Sequence, residues 1–397
     1  MFGFVSNYLP TKSLHAYRGN PNDLPGECSA MPRVVEVNNQ EDLAALRLIW
    51  HDLWLRTPGA SFFQSFDWLE IYWQHFGQGQ RMRVLVVYCC GELQGILPLV
   101  IRTEQTSVGT LATITYPLHD WGSFYGPIGP NPTVTLLAGF QHLGNTPRDW
   151  DIIDPRWIEK QGDLRRVQTA MEIAGMPGSQ GVWKTTHLID LEHSWSDYWL
   201  SRRAKLRENV RRMKRRLATR GKVSLIRYRP SGSSEGEGDP RWDLLHECER
   251  LGRLSWQGDS QSGTTISHES IRPFLRDSHA AAARLGCLDL NLLSVGGQPV
   301  AFNYNYRWGS KVCGLRMGYD PAYPGAGSVA MAEMIENSCQ LGDTEIDLGP
   351  EYEDAKKNWT NKLAPMFRCS HFPSMFSRAQ IIRVGRWVRN RRDKMRG

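Results

Sequence analysis

The chain has 397 residues, more than one hydrophobic core ordinarily supports, so its length predicts two domains. Hydrophobic residues make up 41% and charged residues 22%, which is typical of a globular protein and excludes a disordered or fibrous one. No apolar run approaches the ~18 residues of a membrane-spanning helix. The amino terminus lacks the pattern of a secretory signal, so we expect a cytoplasmic protein. The histidines and cysteines show no metal-ligand spacing, so no metal site is predicted.

The net charge of +7 is concentrated in two segments. Residues 202–222 contain eleven basic residues and one acid, and residues 378–396 contain eight basic residues and one acid. The rest of the chain is therefore acidic, and the overall basicity is no argument for nucleic-acid binding. In the first segment the apolar residues recur at steps of four, three and four, which predicts an amphipathic helix. These residues are Leu206, Val210, Met213 and Leu217.

Residues 1–32 have no periodicity and read as a flexible arm. A first unit, residues 33–190, opens with apolar residues at helical spacing over 43–54, and a second helix is predicted around 66–76. Two strand-like runs joined by a glycine turn over 83–101 predict an antiparallel hairpin. A later buried strand is predicted at 149–154.

A second unit, residues 191–376, repeats this order and precedes the basic tail. Residues 287–307 predict another hairpin around a Gly-Gly turn, and a further strand follows at 311–318. A helix at 329–341 then leads to a strand at 344–349, which predicts a right-handed crossover and a parallel strand pair. The repeated order predicts an α/β (α+β) fold with two mixed-sheet domains in tandem.

The turn before the second crossover helix is the most informative segment. Gly325, Ala326, Gly327 and Ser328 form a small-residue turn that enters a helix. The first backbone N–H groups of a helix have no intrahelical acceptor, and together with the helix dipole they suit a pyrophosphate. No Gly-Lys-Ser/Thr follows, so the turn is not the phosphate loop of a nucleotide hydrolase. An ordinary loop-to-helix turn is the alternative.

The motifs around this turn resemble those of a known family. Tyr319-Asp-Pro precedes the turn, Asp347-Leu-Gly follows the helix, and Lys356 and Trp359 come shortly afterwards. This order resembles the tandem GNAT acyltransferases, most closely the CelD-like branch associated with cellulose biosynthesis, which is related to the FemAB peptidyltransferases. The resemblance spans about residues 62–372.

Two positions depart from the family pattern. Ala322 stands where GNAT enzymes usually have Arg or Gln, and Ala355 stands where the branch has Tyr. The first change removes an expected contact to the donor pyrophosphate. The second removes an expected tyrosine hydroxyl, for which Tyr352 is the nearest substitute.

The resemblance implies two GNAT-like domains and an N-acyltransferase that uses acetyl-CoA or another acyl-CoA. The implied acceptor is an amine, with an amino sugar or a polysaccharide-related molecule as examples. The candidate catalytic residues are Asp347, Glu351, Tyr352 and Lys356. The candidate donor-binding residues are Leu315, Met317, Gly325, Ala326, Gly327, Ser328 and Val329. The candidate acceptor-binding residues are Tyr304, Arg316, Tyr319 and Trp359.

Three alternatives remain open at this stage. The helix at 202–222 is a candidate nucleic-acid-binding element, and aminoacyl transfer from a charged tRNA is the FemAB-like variant. A solvated helix face between domains is the simpler interpretation of the same segment. The basic and apolar residues of 378–397 are compatible with an anionic membrane surface or with a terminal helix that fulfils no binding role.

Overall fold

The computed structural model describes residues 32–123, 126–160, 162–260 and 263–396. The predicted N-terminal arm lies outside this part of the chain except for its last residue. The helices are α1 Gln40–Ala45, α2 Arg47–Leu55, α3 Phe66–Phe76, α4 Pro132–Asn145, α5 Asp163–Ile173, α6 Trp195–Ser201, α7 Ala204–Ala218, α8 Trp242–Leu254, α9 Arg272–Arg284, α10 Ala326–Gln340, α11 Glu353–Lys356 and α12 Ser377–Arg396. None of these described helices has the length and apolar character needed to cross a bilayer.

The strands form two mixed sheets and a small hairpin. The strands are β1 Arg33–Val37, β2 Gln80–Cys89, β3 Glu92–Thr106, β4 Gly109–Thr115, β5 Leu118–His119, β6 Gly122–Ser123, β7 Ile152–Ile153, β8 Ile158–Glu159, β9 Ser179–Asp190, β10 Val223–Tyr228, β11 Leu288–Val295, β12 Gln298–Trp308, β13 Lys311–Tyr319, β14 Glu345–Asp347 and β15 Lys362–Ser370. The first sheet has the order β1-β2-β3-β4-β7, and the second has the order β10-β11-β12-β13-β14-β9-β15-β8.

The two sheets share one topology. In each, four antiparallel strands are followed by a helix and then by a strand parallel to the fourth. The crossover helix is α4 in the first sheet and α10 in the second. The fold class predicted from sequence, two mixed α/β domains in tandem, is thus confirmed.

The second sheet also includes strands from the first half of the chain. β9 lies between β14 and β15 and is antiparallel to both, and β8 pairs with the far edge of β15. Residues that precede the basic helix α7 therefore lie directly beside the end of β14. The sequence order alone does not indicate this exchange.

Aromatic side chains join the two halves. The rings of Trp54 and Trp308 lie 4.0 Å apart, and those of Phe62 and Tyr306 lie 4.6 Å apart. All four extend from elements of opposite halves into one hydrophobic core. Burial of such large rings dominates core energetics, so the halves are held in one relative position.

Candidate active site

A cleft opens where β13 and β14 separate. The two strands pair in parallel over three residues only, ending at Cys313 and Asp347. Beyond this point β13 continues along β12 to Tyr319, whereas Leu348 donates to the carbonyl of His187 on β9 at 2.8 Å. The strands diverge because each follows its other neighbour.

Two local features shape the β13 side of this cleft. The register between β12 and β13 shifts at Leu315, which forms a β-bulge opposite Tyr304 and Asn305. Bulges re-aim side chains and backbone groups and are frequent beside active sites. At Gly314 a Cβ would lie 3.2 Å from the carbonyl oxygen of Asp347, so glycine permits the close approach before the strands part.

Helix α10 begins at the wide end of the cleft with unpaired amides. Gly325 caps the helix with φ +90° and provides no side-chain hydrogen bond. The N–H of Ala326 donates to Tyr323 at 3.0 Å, and that of Val329 donates to Gly325 at 3.1 Å. The N–H groups of Gly327 and Ser328 have no acceptor among the described residues. Free amides and a helix N-terminus together suit a phosphate group.

The basic helix α7 packs beside this turn. A Cβ on Gly325 would lie 2.5 Å from Cγ of Met213. Both this close contact and the φ of +90° favour glycine at this position. Arg220, just after α7, donates to the carbonyl of Ala322 at 2.6 Å, and its guanidinium lies 3.8 Å from the Tyr323 ring centroid. Arg220 therefore places a cation beside Ala322, the position at which GNAT enzymes usually have Arg or Gln.

The carboxylate of Asp347 lies at the base of the cleft. Its Oδ1 accepts from Thr186 Oγ1 and from the Gly349 amide at 2.7 Å, and its Oδ2 has no partner among the described residues. Burial raises the pKa of Asp347, and the Thr186 and Gly349 hydrogen bonds oppose that rise. A carboxylate with a raised pKa and one free oxygen is suited to accept a proton.

Lys356 approaches the same place from α11. Its Nζ donates to the carbonyl of Gly349 at 3.1 Å. Burial lowers its pKa to about 8, although the charges of Asp347 and Glu351 act in the opposite direction. The amine therefore exchanges its proton near neutral pH. Tertiary contacts thus bring the Asp347 and Lys356 candidates together.

The other two catalytic candidates lie at the rim. Glu351 is exposed and forms an ion pair with Lys184 at 3.2 Å. Tyr352 is also exposed and has a left-handed backbone with φ +61°, which is uncommon for a large side chain. Its ring lies 5.4 Å from the ring of Trp256.

Three of the predicted acceptor-binding residues, Tyr319, Trp359 and Arg316, lie in different surroundings. Tyr319 is partly exposed and packs over Gly327, where a Cβ would lie 2.9 Å from its ring. Trp359 is buried, and its carbonyl accepts from the Tyr198 hydroxyl at 2.7 Å, so it packs α6 against the sheet. Arg316 stacks 4.0 Å from the Trp121 ring centroid and donates to the carbonyl of Leu315 at 2.6 Å, so it links the halves.

Tyr304 corrects the predicted orientation of β12. Tyr304 is among the predicted acceptor-binding residues, but its side chain is fully buried. Its hydroxyl lies 3.0 Å from Nδ1 of His279 on α9. Alternation separates the two faces of a strand without indicating which face is covered by helices.

Sequence reasoning missed three residues around the cleft. Thr186 is on β9, Trp256 follows α8, and Gln257 donates to the carbonyl of Met317 at 2.7 Å. None of them belongs to a local motif. The exposure of Trp256, which is 52%, is likewise visible only in the tertiary structure.

The first sheet has the same framework without the same chemistry. Its crossover helix begins with Pro132, which has no N–H, where α10 has free amides. Asp154 follows β7 as Asp347 ends β14, but Asp154 is fully buried. It pairs with Arg156 at 2.8 Å and also with Arg368. A carboxylate neutralised in this way is structural.

Comparison with known proteins agrees with this placement. Residues 204–357 match the family model described as an acetyltransferase (GNAT) domain. No curated protein matches the chain. This match covers β13, β14, α7 and α10, whereas Thr186 on β9 and Trp359 lie outside it.

Solved structures of similar fold cover most of the chain. FemX has a TM-score of 0.56 at 13% identity, over 86% of this chain and 97% of its own. The C-terminal domain of a protein named as a lysylphosphatidylglycerol synthetase from Agrobacterium fabrum has a TM-score of 0.55 at 12% identity, over 85% and 96%. A conserved protein of unknown function from Bacteroides thetaiotaomicron has a TM-score of 0.53 at 13% identity, over 85% and 100%. These likenesses concern the fold. The family match alone shows that residues 204–357 form a GNAT-type acetyltransferase domain and that the chain is an acyltransferase.

Proposed function

We propose that this chain is an acyl-CoA-dependent N-acyltransferase, most simply an acetyltransferase, with its reaction in the cleft between β13 and β14. The observation that supports it most directly is the pair of free amides on Gly327 and Ser328 at the end of that cleft. These amides would hold the donor pyrophosphate. The edge of β13 beyond its pairing with β14, at Leu315 and Met317, would hold the pantetheine arm in place of the Arg316 and Gln257 side chains, which donate to the carbonyls of these two residues. Arg220 would supply the cationic contact to the pyrophosphate that the Ala322 side chain cannot make.

The residues at the base of the cleft account for the proton transfers. The acceptor nitrogen attacks the thioester carbonyl carbon, a C–N bond forms, the C–S bond breaks, and the CoA thiolate leaves. Asp347 Oδ2 takes the proton released by the amine, directly or through one water. Lys356, with a pKa of about 8, gives a proton to the leaving thiolate. The ordinary thiol pKa is about 8.5, so this transfer is nearly balanced in energy.

Calorimetry of the full chain with acetyl-CoA, a longer acyl-CoA, free CoA and ATP tests the donor class. We expect binding of the CoA compounds and none of ATP. Arg220→Gln should weaken CoA binding, whereas Arg211→Gln, on an exposed part of α7, should not. No heat with any CoA compound, or equal heat with ATP, contradicts the proposal.

For the acceptor we propose an amine on a saccharide, in keeping with the resemblance to the polysaccharide-associated CelD-like branch. Trp256 and Tyr352 are 52% and 61% exposed, and their rings lie 5.4 Å apart although they belong to separate segments of the chain. Rings with an apolar face and a polar edge suit the amphipathic surface of a sugar. Trp256→Ala should raise the acceptor KM in a thiol-release assay without changing CoA affinity, whereas Leu254→Ala should change neither. Turnover of simple amines but not of amino sugars contradicts this choice.

The second candidate is FemAB-like aminoacyl transfer from a charged tRNA, or nucleic-acid binding through 202–222. It is favoured by Arg211, Arg215 and Arg216, which are exposed on α7 and have no ion-pair partner among the described residues. Phosphate contacts weaken steeply with salt. An electrophoretic shift with tRNA at two salt concentrations discriminates: a salt-sensitive complex supports this candidate, and its absence at low salt excludes it. In either case we place the enzyme in the cytoplasm.

A further inference from the structure

The C-terminal helix α12 is docked on the protein along one face. Ala379 and Ile382 are buried in a small cluster with Phe372. Arg386 lies on the same face and donates to Ser370 Oγ at 2.8 Å. These positions recur at three- and four-residue steps, which places them on one side of a helix.

The opposite face of α12 exposes large apolar side chains. Ile381 is 56% exposed, Val384 58%, Trp387 57% and Val388 44%. Met375, just before the helix, is 92% exposed. Single exposed apolar residues are ordinary, but a contiguous group on one element marks an interaction surface. We call Ile381, Val384, Trp387 and Val388 the apolar stripe.

Cations surround the apolar stripe. Arg378 and Arg383 are exposed on its two sides, and the Arg391 guanidinium lies 5.1 Å from the Trp387 ring centroid. Residues 378–396 contain eight basic residues and a single acid, Asp393. Two copies of this helix face to face would bring like charges together, so the charge disfavours self-association.

We propose that α12 lies in the plane of an anionic lipid surface, with the apolar stripe inserted and the arginines at the headgroups. A helix with an apolar face, a Trp at the boundary and basic flanks has the composition of an interfacial helix. Juxtaposed arginines add electrostatic attraction to anionic lipids. The stripe contains only a few side chains, so the attachment is reversible and needs both contributions. This inference does not depend on the acceptor or donor proposed above.

Co-sedimentation of the full chain with vesicles tests the proposal. One set contains phosphatidylglycerol in phosphatidylcholine, and the other contains phosphatidylcholine alone. We expect binding to the first set only. The double variant Val384→Ser, Trp387→Ser removes two apolar anchors. It should therefore reduce binding by tenfold or more. Arg383→Gln should reduce it by about fivefold, the effect of one cation at the surface.

Matched controls separate the helix from general charge and hydrophobicity. Leu48→Ser removes an exposed apolar residue elsewhere, and Arg215→Gln removes an exposed cation of α7; neither should change binding. Thermal melts check that the variants, all at exposed positions, remain folded. The proposal is overturned if the wild type does not bind, if it binds neutral vesicles equally, or if only Arg215→Gln reduces binding. It is also overturned if the double variant abolishes a concentration-dependent dimer instead of vesicle binding.

Discussion

The hydroxyl of Thr186 donates to Oδ1 of Asp347, a residue 161 positions later in the chain. Thr186 is on β9 and Asp347 ends β14, so the strand contributed by the first half orients the carboxylate of the second. Oδ1 is occupied by Thr186 and Gly349, whereas Oδ2 has no hydrogen-bond partner among the described residues. The pKa of Asp347 therefore depends on residues from both halves of the chain.

Asp347→Asn tests the proposed base. The amide cannot accept the amine proton, so we expect kcat/KM to fall by ~10²–10⁴ at neutral pH. Glu351→Gln is the matched control because Glu351 is exposed and paired with Lys184, and it should change the rate little. Steady-state thiol release measures both. An active Asp347→Asn enzyme would remove Asp347 from the mechanism, and a larger loss in Glu351→Gln would exchange the two roles.

Thr186→Val tests the positioning of that base. The Thr186 hydrogen bond lowers the pKa of Asp347, so its loss should raise that pKa. The acidic limb of the kcat/KM profile should then move to higher pH. Thr186→Ser retains the hydroxyl and should keep the limb where the wild type has it. Identical profiles for valine and serine variants would show that the bond is unimportant for the titration.

Lys356→Gln tests the proposed proton donor. Since the pKa of Lys356 is about 8, its protonated form, and with it the rate, should decline as the pH rises through that value. The glutamine variant should be slower at pH 7 and lack this limb. Lys356→Arg should recover part of the rate and also lack the limb, because its charge persists to high pH. A wild-type profile that stays flat to pH 9.5 contradicts the assignment.

Ser328→Pro tests the free amides at the start of α10. Proline removes one N–H that has no internal acceptor, and the first helical turn tolerates it. We expect CoA affinity to fall by about two- to fivefold, the value of one phosphate contact at a helix end. Ser328→Ala retains the N–H and should bind nearly as well. Calorimetry measures both, with circular dichroism as the check on folding; equal affinities would separate this turn from the donor site.

His279→Gln tests the burial of His279, whose Nδ1 lies 3.0 Å from the Tyr304 hydroxyl. Burial lowers the pKa of His279 to about 4, against an ordinary value of 6.5. Between these values the unfolded chain binds more protons, so stability is full above pH 6.5 and is lost as the pH falls toward 4. The contribution is about 3 kcal/mol over the whole window. Urea unfolding at pH 7 and pH 5 should show a smaller difference for His279→Gln than for wild type, whereas the exposed His246→Gln should leave the difference unchanged.

Several features follow from the sequence because they depend on neighbouring residues. The boundaries of α3 match the predicted helix at 66–76, and α10 contains the predicted 329–341 except its last residue. The parallel pairing of β13 with β14 follows from the strand–helix–strand order. The unpaired amides of Gly327 and Ser328 follow from a small-residue turn at a helix start, since every helix leaves its first donors free.

Other features depend on contacts between distant parts of the chain, and only the tertiary structure decided them. The entry of β9 into the second sheet places Thr186 at Asp347, but strand pairing at this separation has no local signature. The alternation of β12 revealed two faces, yet the packing of α9 decided that Tyr304 is covered. Likewise, the sequence showed that residues 378–397 combine basic and apolar side chains, and the docking of Ala379 and Ile382 determined which face of α12 remains exposed. Local propensity and periodicity are set by adjacent residues, whereas burial and proximity are set by which surfaces meet.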